Sequence, residues 1–425
     1  MNLNASLIVH RLRAALSARL YFLGAMGTAA VLTLARGFIL AVILDVEGFG
    51  VYAIVASVGL FASNVLSFGR IEGFMKSFPR LWMAGQRRSV VASADRALLD
   101  VSLRAVASCV FAGILIYALS LNDYLSILFF IVLFSVGSIA YNIYSSGIRS
   151  TTELRLFGFG NLVRATTAIA FGVLGAWLAG WPGAVVGEIV AAAVAALLMR
   201  CWLVRLAEST TAPSPDALTV DPPRDYGGYW IFVSIILVSA PLYLDRLFVG
   251  HVFGAASAGS YAFVLLFYMI NSTIVAIIVQ SVGPQLVMME RSGATLLRQV
   301  KTASAWSAAC IFAGAAQLAA AAFAVFVWPL ESLGDKYGVT VGTFVAISFL
   351  SFFRVSEFFD WLMISRDREK DMTTASALFF ATTVLGAGAV IQFDLSLEQL
   401  IWLLALARGI QLAAQLILLF RHQTR

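Results

Sequence analysis

Charge is scarce in this chain. Asp, Glu, Lys and Arg together make up 12% of 425 residues, about half the ~25% usual in soluble domains. Histidine and cysteine are rarer still, at three each. Cys109, Cys201 and Cys310 stand alone in apolar or span-end stretches. With no Cys-x-x-Cys pair and no Cys/His cluster, neither a disulfide framework nor a metal site is supported. Alternating polarity is missing too, which excludes a transmembrane β-barrel. What fills the chain is apolar: 60% hydrophobic residues and a mean hydropathy of +0.89. This excludes a soluble enzyme, a disordered protein and a disulfide scaffold, and leaves a polytopic helical membrane protein.

A bilayer core of about 30 Å needs about 20 helical residues at about 1.5 Å each. Apolar runs of that length fall at 20–44, 51–68, 97–119, 124–145, 157–179, 183–205, 229–251, 258–283, 303–328, 339–364, 372–392 and 398–420. Arg11, Arg13 and Arg19 before the first run resemble a signal peptide. The run is longer than a signal's apolar region and contains Arg36, so it reads as an uncleaved first span. Residues 2–18 read as an amphipathic helix lying on the membrane surface.

Orientation follows from Lys and Arg. Alternate connections hold Arg70, Lys76, Arg80, Arg87, Arg88 and Arg96, then Arg149 and Arg155, then Arg200, Arg205 and Arg224. Further along they hold Arg291, Arg298 and Lys301, then Arg366, Arg368 and Lys370. The N-tail arginines and Arg421 and Arg425 of the C-tail fall on the same side. The opposite connections carry only Lys336 among basic residues, with Asp45, Glu47, Asp123, Glu331, Asp335, Asp394 and Glu398. Both termini are therefore expected in the cytoplasm. The nine tryptophans fall near span ends, as an interfacial belt does. The net charge of +6 is a positive-inside signature, so no nucleic-acid partner is expected.

Residues 207–228 are polar and contain Pro213, Pro215, Pro222 and Pro223, a linker without helical period. The expected organisation is a 1–19 interfacial helix, a 20–206 six-helix bundle, the 207–228 cytoplasmic linker, a 229–420 six-helix bundle and a 421–425 tail. The halves repeat weakly. Gly50-Val51-Tyr52-Ala53 follows the first span and Gly259-Ser260-Tyr261-Ala262 follows the seventh, an offset at which Arg36 aligns with Asp245. Pro79 and Pro284 each follow the second span of a half. An even span number per half makes the repeats parallel. The expected fold is all-α and polytopic, twelve transmembrane helices in two parallel six-helix bundles around a central cavity.

The layout, with the acidic loop Leu44-Asp45-Val46-Glu47-Gly48-Phe49-Gly50-Val51-Tyr52-Ala53 and Phe68-Gly69-Arg70 after the second span, resembles the polysaccharide transporter (Wzx-like flippase) family. That family lies within the multidrug/oligosaccharidyl-lipid/polysaccharide exporter superfamily. The specific residues cover only 45–70, and the second half matches by layout alone, its loop lacking the acidic residues and the Phe. The resemblance implies a multi-pass protein of the bacterial cytoplasmic (inner) membrane. It would move polyprenyl-diphosphate-linked oligosaccharide, such as an O-antigen or exopolysaccharide repeat unit, to the outer leaflet. It implies no cofactor, coupling to proton, sodium or membrane potential, and glycan polymerase and other assembly proteins as partners beside the lipid.

A charge at mid-bilayer costs about 2.5–3.5 kcal/mol on insertion scales, so it faces a cavity or a partner. Arg36 lies in the outer half of the first span, and Asp245-Arg246 in the outer half of the seventh, just after Pro241. One reading makes them a gate or substrate contact, with Arg36 foremost because its fork fits two diphosphate oxygens. The other makes Arg36–Asp245 a static ion pair. Arg164 either snorkels to the cytoplasmic interface or faces a cavity. Arg408, deep in the twelfth span, either binds substrate or bonds a backbone carbonyl. Arg104 and Glu188 are expected at interfaces. Arg354, Glu357 and Asp360 share a face of the tenth span, where Arg354 and Glu357 can pair, Asp360 can reach water or Arg366, and the group can serve coupling or gating. The substrate-contact set is thus Arg36, Arg246, Arg164 and Arg408.

Two alternatives to a flippase stand. An ion-coupled multidrug exporter of the same superfamily would favour acids in the cavity, whereas arginines slightly outnumber intramembrane acids here. A membrane glycan polymerase, ligase or acyltransferase would need catalytic residues on one face, commonly on a long loop. The outer connections are about ten residues or fewer, and His251 is the sole histidine outside the tails. The protein is therefore expected not to be an enzyme.

Overall fold

The computed structural model describes residues 3–118, 125–151, 153–209, 229–291, 293, 295–327 and 330–421. The Pro-rich stretch from residue 210 onward and the tail after Arg421 lie outside them. Among the described residues there is no strand, and the helices are α1 (Leu3–Ile43), α2 (Val46–Ser67), α3 (Arg70–Met83), α4 (Arg87–Ala118), α5 (Leu125–Ser150), α6 (Leu154–Glu208), α7 (Tyr229–Tyr243), α8 (Asp245–Phe253), α9 (Ala255–Arg291), α10 (Leu296–Phe326), α11 (Glu331–Lys336), α12 (Val341–Phe352), α13 (Ser356–Ser365), α14 (Glu369–Phe393) and α15 (Leu397–Arg421).

Eleven described helical segments are long and apolar enough to cross a membrane. One of them, α6, is 55 residues long and breaks at Ala179 and Gly180, where Gly180 takes a positive φ of 63°. Its two arms are each of crossing length, so the layout is that of a twelve-span, all-α polytopic membrane protein. Local chemistry sets the ends. Thr340 and Thr343 form a capping box at the start of α12. Thr295 caps α10 through Arg298 N–H. Gly254, with φ 90°, separates α8 from α9, and Asp394, with φ 50°, ends α14.

Several boundaries differ from the sequence reading. The separate surface helix over 2–18 is instead continuous with the first span in α1. No Gly or Pro interrupts Leu3–Leu23, and its Ala, Leu and Arg are strong helix formers. The second connection contains α3, an amphipathic helix whose Phe78 and Leu81 are buried against α4 and α5. The seventh span is α7 and α8, split at Leu244. The tenth is α12 and α13 joined by a 3₁₀ turn over Phe353–Val355. Pro284 lies within α9 instead of marking its end.

The chain forms two compact units, residues 1–36 with 62–228, and residues 37–61 with 229–425. This departs from a division at the linker: the last residues of α1 and most of α2 pack with the C-terminal helices. In the first unit the core joins α3, α4, α5 and the second arm of α6 through Phe78, Val90, Val101, Ile139, Met199 and Leu203. Asp95 fastens the same elements, accepting two bonds from Arg200 at 2.9 Å and one from Tyr144 at 2.7 Å. In the second unit one cluster surrounds Tyr261, Ile347 and Leu404, and another surrounds Val275, Phe358 and Leu419.

Candidate functional site

Within the spans of the first unit, Arg36 of α1 meets Glu188 of α6 at 2.6 Å. The two arms of α6 pack so closely that a Cβ on Gly175, Gly183 or Gly187 would overlap backbone of the opposite arm, and the Arg36 stem lies against Gly172. Glu188 is therefore presented from the second arm while Arg36 crosses the first. The Arg36 side chain is 19% exposed and that of Glu188 9%. Burial among helices leaves the Glu188 carboxylate little solvent, and it takes the cation. Arg36 and Asp245 each have a partner within their own unit.

Arg164 lies in the first arm of α6. Its guanidinium covers the Tyr141 ring at 4.2 Å, and the Tyr141 hydroxyl donates to Asn161 Oδ1 at 2.8 Å. Arg104 lies over Phe68, 5.9 Å from the ring centre.

In the second unit Asp245 is 9% exposed. Its carboxylate accepts from Tyr261 Oη at 2.7 Å and from the Arg246 N–H at 2.7 Å, so it serves the opening backbone of α8. Arg246 lies 3.5 Å from Asp245 and donates to Leu242 O at 3.2 Å. Beside Asp245 lies an apolar cavity of about 250 Å³, lined by Pro241, Leu244, Phe248, Phe380, Val384 and Leu404.

A polar network runs deeper in this unit. Arg354, in the 3₁₀ turn, pairs with Glu357 at 2.7 Å and donates to Tyr268 Oη at 3.1 Å. A 3₁₀ interruption inside a span often marks a hinge. Asp360 accepts from Gln415 Nε2 at 2.6 Å, while Arg366 donates to Gln299 Oε1 at 2.7 and 2.9 Å. Arg408 is 2% exposed. It stacks 4.4 Å from the Phe379 ring centre and donates to the Gln411 side chain in place of a backbone carbonyl. Asn271 of α9 donates to Ser351 Oγ at 3.1 Å. Among the described residues no group of three or more His, Cys, Asp or Glu is gathered to hold a metal ion.

The repeated Gly-x-Tyr-Ala motif meets itself. A Cβ on Gly50 would overlap Ala255 O, and one on Gly259 would overlap Val46 O. Residues 46 and 50 correspond to 255 and 259 under the repeat offset, so the α2–α9 crossing obeys a local pseudo-twofold relation. Nearby, Lys336 Nζ donates to Ala41, Val42 and Leu44 carbonyls at 2.8, 3.3 and 2.7 Å. Tyr337 Oη adds a bond to Ala41 O at 2.8 Å. Lys336 thus caps the C-terminus of α1, where a cation is favoured. Burial pushes the Tyr337 hydroxyl pKa up, with Asp45 adding to the shift, which keeps this donor protonated at and above neutral pH.

The residues not anticipated are the partners: Glu188's pairing, Tyr261, Tyr268, Asn271, Gln411 and Gln415. Gln411 and Gln415 did carry a signal. With Arg408 they fall at i, i+3 and i+7 of an apolar helix, one polar stripe on one face.

No family model and no curated protein matches the chain. The fold, however, resembles solved structures across nearly its whole length. An inward-facing multidrug resistance MATE family transporter of the MOP superfamily aligns at a TM-score of 0.60 with 12% identity, covering 93% of this chain and 98% of that one. The lipid II flippase MurJ in an inward closed conformation aligns at 0.56 with 10% identity, covering 95% and 87%. A point mutant of the Vibrio cholerae MATE transporter VcmN aligns at 0.56 with 14% identity, covering 96% of each. At these identities the likeness is one of fold.

Proposed function

We propose that this protein is a flippase of the bacterial cytoplasmic membrane, moving a polyprenyl-diphosphate-linked oligosaccharide to the outer leaflet by alternating access. The reading rests on Arg36, an intramembrane arginine whose side chain is still 19% exposed. A charge at that depth does not face hydrocarbon, so its open side faces water and can meet a diphosphate bidentately. Arg246 and Arg164 supply further positive charge, each partly occupied by the contacts described above. Arg354, Glu357, Asp360 and Arg408 serve coupling or gating in this reading, because each is joined to a neighbour near the 3₁₀ turn of the tenth span.

The test is export of surface glycan in cells carrying Arg36→Ala or Arg246→Ala, with membrane insertion checked by immunoblot. Loss of export with normal insertion is expected, while Arg36→Lys keeps part of it. Full export by both alanine variants would contradict the role of these cations. One observation favours a second reading, an exporter of hydrophobic cations: the apolar cavity of about 250 Å³ has the Asp245 carboxylate in its lining. Efflux of a lipophilic cationic dye, lost in Asp245→Asn, would select that reading.

A further inference from the structure

We infer that Ser356, Gln411 and Gln415 hold a buried water molecule between α13 and α15, and that this water joins Asp360 to Arg408 in one hydrogen-bonded chain. All three side chains are shielded, each at 0% exposure. Ser356 Oγ, Gln411 Nε2 and Gln415 Oε1 each lack a hydrogen-bond partner within the protein. Leaving a buried polar group unpaired costs more than a paired one gains. Such groups are met by other protein atoms or by ordered water, and a buried water makes about three bonds of this kind. The site lies wholly in the second unit, so it holds for a lipid-linked glycan and for a cationic substrate alike.

Register brings the three groups together. The Phe353 ring lies 3.2 Å from where a Cβ on Gly409 would stand, and Asp360 meets Gln415. Contact advances from 353 to 360 on one segment and from 409 to 415 on the other, so the two run parallel. Ser356 and Asp360 are one turn apart on a face of α13, as Gln411 and Gln415 are on α15. Ser356 therefore lies level with Gln411, and the three unpaired atoms share the space between the helices. Their orientation is fixed from outside that space. Gln411 Oε1 accepts from Arg408 Nη1, which can only donate, so Gln411 Nε2 cannot take its place. Gln415 Nε2 donates to Asp360 Oδ1 at 2.6 Å, which leaves Oε1 as the free acceptor. One donor, one acceptor and one hydroxyl suit a water, which accepts from Gln411, donates to Gln415 and takes either role with Ser356. They do not suit a metal cation, because the Gln411 N–H turns positive charge toward the site. The chain Arg408–Gln411–water–Gln415–Asp360 ties the segment that follows the 3₁₀ turn to α15.

The experiment is thermal unfolding of the full-length protein in detergent, with Ser356→Ala as the variant. Alanine removes the hydroxyl and little else. If the hydroxyl bonds a water, its loss gives up a hydrogen bond, and the melting temperature should fall by about 1–3 °C. If the hydroxyl is buried dry, its removal relieves an unpaired group, and the melting temperature rises or stays. The sign of the shift therefore decides, and a rise or no change overturns the inference. The measurement is made in sodium chloride and again in choline chloride. The same fall in both salts is expected, whereas a fall seen only with sodium would place a cation at the site and overturn the water. A structure of the wild-type protein at a resolution that shows ordered water supplies the second readout. It should show one water within hydrogen-bond reach of Ser356 Oγ, Gln411 Nε2 and Gln415 Oε1. Well-ordered side chains with no water between them would contradict the inference.

Discussion

A guanidinium inside a membrane domain survives by finding partners, and the partners decide what it can do. Arg164 and Arg408 are both placed over aromatic rings, at 4.2 and 4.4 Å, where cation–π attraction adds to hydrogen bonding. Arg408 is also buried, which suits a fastening between α15 and α14 better than contact with a large substrate. Asp360 offers a sharper distinction. Its Oδ1 accepts from Gln415, and an amide oxygen at the same place can accept the same bond. Asp360→Asn should therefore keep the melting temperature in detergent within about 3 °C of wild type. If the carboxylate serves coupling, export in the same variant should fall by roughly tenfold or more. A variant that exports normally would reduce Asp360 to a structural acceptor, whereas one that melts far lower would show that charge at this position holds the fold.

At the scale of helices, the α2–α9 crossing is the contact most tightly specified by residue type. Gly50 and Gly259 let two backbones approach to where no Cβ fits, the small-residue packing that replaces hydrophobic driving force inside a bilayer. Gly388 of α14 is the natural control, since a Cβ there would meet nothing within 4 Å. Gly50→Ala and Gly259→Ala should each destabilise by about 1–3 kcal/mol, the usual cost of overpacking, read as a lower midpoint of unfolding in detergent. Gly388→Ala should be neutral or raise the midpoint, because alanine is the better helix former by about 1 kcal/mol. Equal losses at all three glycines would show that helix propensity, and not the crossing, governs them. Lys336 and Tyr337 add polar bonds to the end of α1, so the motif repeat, the cap and the crossing lie close together in one unit.

At the scale of the whole chain, the sequence is read well where a simple length rule applies. Apolar runs locate the spans because hydrocarbon thickness fixes how many residues a helix needs. Gly180 with Pro182 marks the turn between the arms of α6, although the structure runs them as one broken helix. The rule is silent on α3, whose Ile71, Phe74, Phe78 and Leu81 keep a helical period among many basic residues. It is silent also on the 3₁₀ turn, since Phe353-Arg354-Val355 contains no Gly or Pro to announce a break. The candidate site is half legible. Intramembrane charges stand out one by one, yet the partner of Arg36 lies 152 residues away, and no local spacing encodes such a pairing. The local pair Arg354–Glu357, three residues apart, is within reach of spacing. The polar stripe of Arg408, Gln411 and Gln415 is as well.

The most direct test is reconstitution. Purified protein is placed in liposomes with a fluorescent polyprenyl-diphosphate oligosaccharide, and a membrane-impermeant quencher reports how much substrate changes leaflet. Wild type should expose substrate from the inner leaflet faster than empty liposomes. Arg36→Ala should bring the rate back to that of empty liposomes. A wild-type rate equal to that of empty liposomes, in protein shown to be folded and inserted, would contradict the flippase assignment.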